Sequence, residues 1–153
     1  VHSLGYVLMD YASGNYYGKY LIRAYYFNKM PKKLREEFAE KFDLSPNTIK
    51  EKLYRKENPN TYLASFAKFI IDNKSDSYFN DIIEKGLRRF IDYQIMQYDN
   101  YKSVDIHYVG SIAYCLKEEI TKVGNEYGLR TSKFVKKPIE GLVNYHKNLL
   151  ISD

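Results

Sequence analysis

The chain has 153 residues, 44% hydrophobic and 28% charged, with 17 Tyr, 8 Phe, no Trp and one Cys. That length and apolar content exclude a disordered polypeptide and suffice for a core without cross-links. The lone Cys115 excludes an internal disulfide framework and a multi-cysteine zinc site, and no apolar run is long enough for a transmembrane helix. Val1–Asp10 lacks the basic region and apolar stretch of a secretory signal, so a reduced, cytoplasmic setting is expected. The net charge of +5 is mild. Its local excesses, Lys29–Arg35 and Lys133–Lys137, read as solvated faces that fall short of a nucleic-acid tail.

In chain order, Val1–Leu8 reads as the end of a strand, with Leu4, Tyr6 and Leu8 alternating. Asp10–Gly14 reads as a turn. A helix is predicted from Gly14 to Lys29, with Tyr17, Leu21, Ala24 and Tyr25 on one face and Pro31 ending it. Leu34, Phe38 and Phe42 predict a short helix over Leu34–Phe42. Ser45 before Pro46 is an N-cap followed by proline at the first helical position, opening a helix to Arg55. After a break at Asn58–Asn60, Thr61 opens a helix with a stripe of Tyr62, Leu63, Phe66, Phe69 and Ile70. A second break at Ser75–Ser77 precedes the longest periodic segment, from Phe79 through Ile82, Ile83, Leu87, Phe90 and Ile91 to Ile95. Gly86 lies on its buried side, where a neighbour is expected to approach closely.

The rest of the chain has a different rhythm. Val104–Val109 reads as a strand, followed by Gly110–Ser111 and a helix carrying Ile112, Leu116, Ile120, Val123 and Tyr127. Gly128 caps that helix. Leu129–Val135 is a second strand, and Pro138–Leu150 a closing helix with Ile139, Leu142, Val143 and His146 inward. Strand, helix, strand, helix implies a parallel pair. The expected fold class is α/β but mostly helical, a single domain over residues 1–153 with a small sheet and a large helical insertion.

Few residues announce chemistry. His2, His107 and His146 are not at metal-ligand spacing. Cys115 sits early in a helix but among packing residues. Leu34–Arg55 imitates a helix-turn-helix that would aim Asn47, Thr48 and Lys50 at base edges, with Asp43 in a left-handed turn. The weak electrostatic footprint makes nucleic acid an unfavoured partner. Tyr16, Tyr17, Tyr20, Tyr25 and Tyr26 supply packing area or a dimer surface. The strand-glycine unit Val104–Ala113 is the sharpest physical clue, because ligands of α/β folds sit beyond the carboxyl ends of strands and glycine lets them near the main chain.

Three stretches in order resemble the C-terminal half of the N-acetylglucosamine kinase / BadF-BadG-BcrA-BcrD ATPase family, within the actin-like sugar kinase and Hsp70 superfamily. They are Leu4-Gly5-Tyr6-Val7-Leu8-Met9-Asp10-Tyr11-Ala12-Ser13-Gly14, Pro59 to Ala67 with its Leu63-Ala64-Ser65-Phe66, and Val109-Gly110-Ser111-Ile112-Ala113. Pro138-Ile139-Glu140-Gly141-Leu142 follows downstream. The resemblance implies a ribonuclease-H-like lobe whose parent transfers phosphate from Mg-ATP to a sugar. It implies that Gly110, Ser111 and Ile112 approach the nucleotide and that Asp10 holds a sugar hydroxyl. Met9-Asp10-Tyr11-Ala12-Ser13 stands where the family has Gly-Asp-Glu-Gly-Ser, and no counterpart of the N-terminal lobe is present. The isolated chain is therefore expected to be inactive without that missing lobe, with ATP and Mg used only by the full-length parent. The alternative is a non-catalytic module that dimerises or senses a ligand.

Overall fold

Thirteen residues with a serine cap at one end and a left-handed asparagine beyond the other begin the ordered architecture of the computed structural model. The model describes residues 2 and 4–151, leaving aside the side chains of 140, 144 and 148–151. Helix α1 spans Gly14–Tyr26, and Ser13 caps it by accepting from the Tyr16 N–H. Expected to run to Lys29, the helix stops three residues earlier because Asn28 takes φ +54°, a conformation that Asn tolerates better than most residues. Helices α2 (Lys32–Lys41) and α3 (Pro46–Tyr54) follow, the latter capped by Ser45 as its sequence foretells. Asp43 does not adopt the left-handed turn expected of it; the non-glycine residues with positive φ are Ala12, Asn28 and Asn58. Its carboxylate instead accepts from the Ser45 N–H and the Thr48 hydroxyl.

Left-handed Asn58 starts α4 at Pro59, two residues before the expected Thr61. The predicted single helix is broken at Phe66 into α4 (Pro59–Ser65) and α5 (Ala67–Asp72). Asp76 caps α6 (Ser77–Phe90), which passes into a π-helical turn over Ile91–Ile95, so the periodic segment is not one regular helix to its end. Phe38, Phe66, Phe69 and Phe79 are all but fully buried, Phe38 lying 5.1 Å from Phe69 and 5.8 Å from Phe66 between ring centroids. Burying each such ring is worth about 1.5–3 kcal/mol. The stripe from Phe79 to Ile95 faces inward as its period requires, with Phe90 half-buried.

Leu4–Leu8, part of the segment expected to end a strand, turns instead. Gly5 has φ +82° and its carbonyl accepts from the Leu8 and Met9 N–H groups. Alternating side chains alone hold no strand where no second strand pairs with it. Val1 and Ser3 lie outside the described residues.

The chain divides into two compact units, residues 1–95 and 96–153. The second holds β1 (Asp105–Val109), α7 (Ser111–Cys115), α8 (Lys117–Glu126), β2 (Arg130–Val135) and α9 (Pro138–Ile151). The two strands are parallel, as the strand-helix-strand order implies. Asp105 and Ile106 pair with Arg130 and Thr131, whereas Tyr108 and Val109 pair with Phe134 and Val135, so β2 carries one extra residue between the two pairings. His107 meets it there, its Nδ1 accepting from the Lys133 N–H at 3.3 Å. The helix predicted after Gly110 is interrupted at buried Leu116. Helix α9 forms where expected, but Ile139, Leu142, Val143 and His146 are exposed, not inward. An amphipathic period shows that a helix has an apolar face; it does not supply the surface that covers it. Among the described residues no helix is long and apolar enough to cross a membrane.

Candidate functional site

In the helical unit, the turn before α1 fixes Asp10. Ala12 with φ +56° folds the loop back, and the Ser13 hydroxyl donates to the Asp10 carbonyl at 3.0 Å. Asn15, 5% exposed, donates from Nδ2 to Asp10 Oδ2 and, at 2.9 Å, to Ser13 Oγ. The carboxylate is thus held by one oxygen, and Oδ1 keeps its acceptor capacity. The loop is gripped from the π-helical turn as well. Gln94 Nε2 donates to the Met9 carbonyl, and Tyr93 stacks on Tyr11 at 5.3 Å and 23°. Tyr11 stands where the resembled family pattern has glutamate, and one face of its ring lies against Tyr93.

Asp10 opens onto a groove of about 490 Å3. Tyr16, Lys19, Tyr20 and Arg23 contribute from α1, Arg89 from α6, and Leu53 and Leu63 close the apolar side. Elsewhere in the helical unit, burial pushes the Tyr78 phenol up to about 12, with Tyr20 adding to the shift.

The second sequence-predicted region lies in the sheet unit and is described by itself. Strand β1 runs directly into Gly110, whose φ +122° and ψ 163° belong to a region essentially reserved for glycine. Its N–H donates to the Val135 carbonyl at 2.9 Å and its carbonyl accepts from Tyr114 at 3.0 Å, so the bend is clamped on both sides. A Cβ at Gly110 would meet nothing within 4 Å. Ser111 is exposed and Ile112 half-buried. The Lys136 ammonium lies 5.6 Å from the centre of the Tyr114 ring.

Of the helix-turn-helix candidates, Thr48 is half-buried and tied into its own helix cap. Thr48 spends its hydroxyl on Asp43 (2.7 Å) and accepts from Ser45 (2.9 Å). The same bonds, that from the Ser45 N–H foremost, hold the Asp43 carboxyl below its usual range. Asn47 and Lys50 are exposed. Among the described residues no three His, Cys, Asp or Glu side chains are grouped to hold a metal ion.

Sequence reasoning missed Arg23, Lys19 and Arg89 as lining residues. Arg23 and Arg89 are 66 positions apart in sequence, and only the packing of α1 beside α6 brings them to one groove. It also missed Gly18, where a Cβ would sit 1.8 Å from the Leu63 carbonyl oxygen. The one sequence cue was the pair Gly14 and Gly18, one helical turn apart on what proves to be the face touching α4.

No family model and no curated protein matches the chain. A crystal structure does: a Porphyromonas gingivalis protein provisionally named an N-acetylglucosamine kinase, at 30% identity and a TM-score of 0.88. The match covers 97% of this chain and 52% of that one. The chain therefore shares the fold of that kinase-like neighbour over about half the neighbour's length.

Proposed function

We propose that this chain is the C-terminal, nucleotide-binding half of a sugar-kinase-like ATPase of the N-acetylglucosamine type, built as a ribonuclease-H-like lobe. One observation carries the reading: nearly the whole chain superimposes on half of the neighbour while keeping 30% identity. The parent transfers the γ-phosphoryl group of Mg-ATP to a sugar hydroxyl, a reaction in which positioning and charge stabilisation do most of the catalysis. In it Gly110, Ser111 and Ile112 would line the nucleotide by their main chain. The open side of Gly110 supports this, since no Cβ and no neighbouring atom obstructs a ligand there. Asp10 would accept a sugar hydroxyl through Oδ1. No residue is assigned to Mg, because the described residues offer no clustered donor set. A cytoplasmic setting, where Mg-ATP is available, goes with this reading.

The test is ADP release by the full-length parent with Mg-ATP and a panel of hexosamines. Sugar-dependent release is expected from the parent and none from the isolated chain, which spans about half of the kinase-like neighbour. A parent that releases no ADP in response to any hexosamine refutes the proposal. It would leave the second reading, a ligand-sensing module without catalysis, which Tyr11 in place of the family's glutamate favours.

A further inference from the structure

Three cations line the groove beside Asp10: Lys19 and Arg23, one turn apart on α1, and Arg89 on α6. Like charges at this helical spacing repel one another. Among the described residues neither guanidinium has an ion-pair partner. Lys19 donates one proton to the Tyr6 carbonyl at 3.0 Å and keeps its charge uncompensated. Among the described residues the only carboxylate in the lining is Asp10, already engaged by Asn15. Tyr11, Tyr16 and Tyr20 supply aromatic surface to the same groove.

That combination is specific in its chemistry. Guanidinium forks match the oxygens of a phosphoryl or carboxylate group, and paired arginines are the usual means of holding one. Tyrosine faces suit the apolar side of a pyranose ring, and their hydroxyls and Asp10 Oδ1 suit its hydroxyls. The volume of about 490 Å3 is that of a small-molecule site. We infer that this groove binds an anionic sugar, its charged group held by Arg23 and Arg89 and its ring against the tyrosines. The inference rests on the proposed sugar site at Asp10 and narrows that site's ligand to an acidic one. Phosphorylated and carboxylated sugars share the chemistry.

Calorimetric titration of the intact chain at low salt decides it, with N-acetylglucosamine 6-phosphate, glucuronate, N-acetylglucosamine and inorganic phosphate as separate ligands. At least one charged sugar is expected to bind ten or more times tighter than the neutral sugar, and more weakly as salt is added. The phosphate ester binding tighter than glucuronate identifies a phosphoryl group; the reverse order identifies a carboxylate. Arg23→Gln and Arg89→Gln are both exposed changes, and each is expected to cost about tenfold for the charged sugar, the loss of one charge-assisted contact. Lys50→Gln, outside the groove, is expected to change nothing. Unaltered circular dichroism melts show that the variants are folded. Failure of every ligand to bind overturns the inference, as does inorganic phosphate binding as tightly as the sugar phosphate. A neutral sugar that binds as well as the charged ones, indifferent to both substitutions, overturns it while leaving the kinase reading intact. Tight charged-sugar binding by a parent without kinase activity does the opposite.

Discussion

Gly18 in the helical unit and Gly110 in the sheet unit are both irreplaceable, for opposite reasons. At Gly18 the backbone is ordinary helix and the space is missing, because α4 crosses so close that its Leu63 carbonyl occupies the position a Cβ would take. At Gly110 space is plentiful and the backbone is extraordinary. The first glycine serves packing, which tolerates no added atom in a close-packed interior. The second serves a bend whose outer side stays accessible.

Substitution separates the two. Substitutions at Gly18 are expected to lower stability the most, Gly18→Ala by about 3 kcal/mol, since α1 and α4 must part to admit the methyl group. Gly18→Val is expected to be worse still. Gly110→Ala is expected to cost about 1–2 kcal/mol of backbone strain, with no neighbour met by its Cβ, and Gly110→Val more only through the strain of a β-branch at positive φ. Urea midpoints at constant slope measure all four. A size dependence at Gly110 as steep as that at Gly18 would break the contrast.

The smallest effect belongs to Tyr78, whose hydroxyl is buried without a hydrogen-bond partner among the described residues. Its phenol is raised from 10.0 to about 12 by burial, so the fold favours the neutral form. That contribution is complete below about pH 10, where the unfolded chain is also neutral. It is lost as pH rises from there through about 12. Melting temperatures are expected to fall less between pH 9 and pH 11 in Tyr78→Phe than in the unaltered chain. Equal falls would show that this burial is not felt.

Much of the fold was legible because periodicity is a local property. The stripe from Phe79 to Ile95, the Ser45-Pro46 cap and the strand-helix-strand order each depend on neighbours a few positions away. Gly86 could be marked for close approach since it sits among that stripe, and the Tyr16 and Tyr17 rings do press on it. Gly18 could not, because the residue that excludes a Cβ lies 45 positions away in α4. The same limit hid the groove. Asp10 and the Gly110 bend were found through short motifs, whereas Arg23 and Arg89 meet only through the tertiary packing of two helices. The apolar face of α9 misled in the other direction, since a face designed to be covered looks alike in sequence whether or not its cover is in the same polypeptide.

The additional residue in β2 makes one strand the measuring stick for the other. Because of it, the Gly110 N–H finds the carbonyl of Val135 rather than that of Phe134. Removing Ser132 or Lys133 would straighten β2 and leave Val135 opposite Val109, whereas one more residue there, with no further irregularity, would bring Phe134 opposite Val109. The bend after β1 would then be tethered to a different carbonyl although its own residues were untouched. Insertions in a segment that bears no candidate ligand contact can therefore retune the opening beside Gly110.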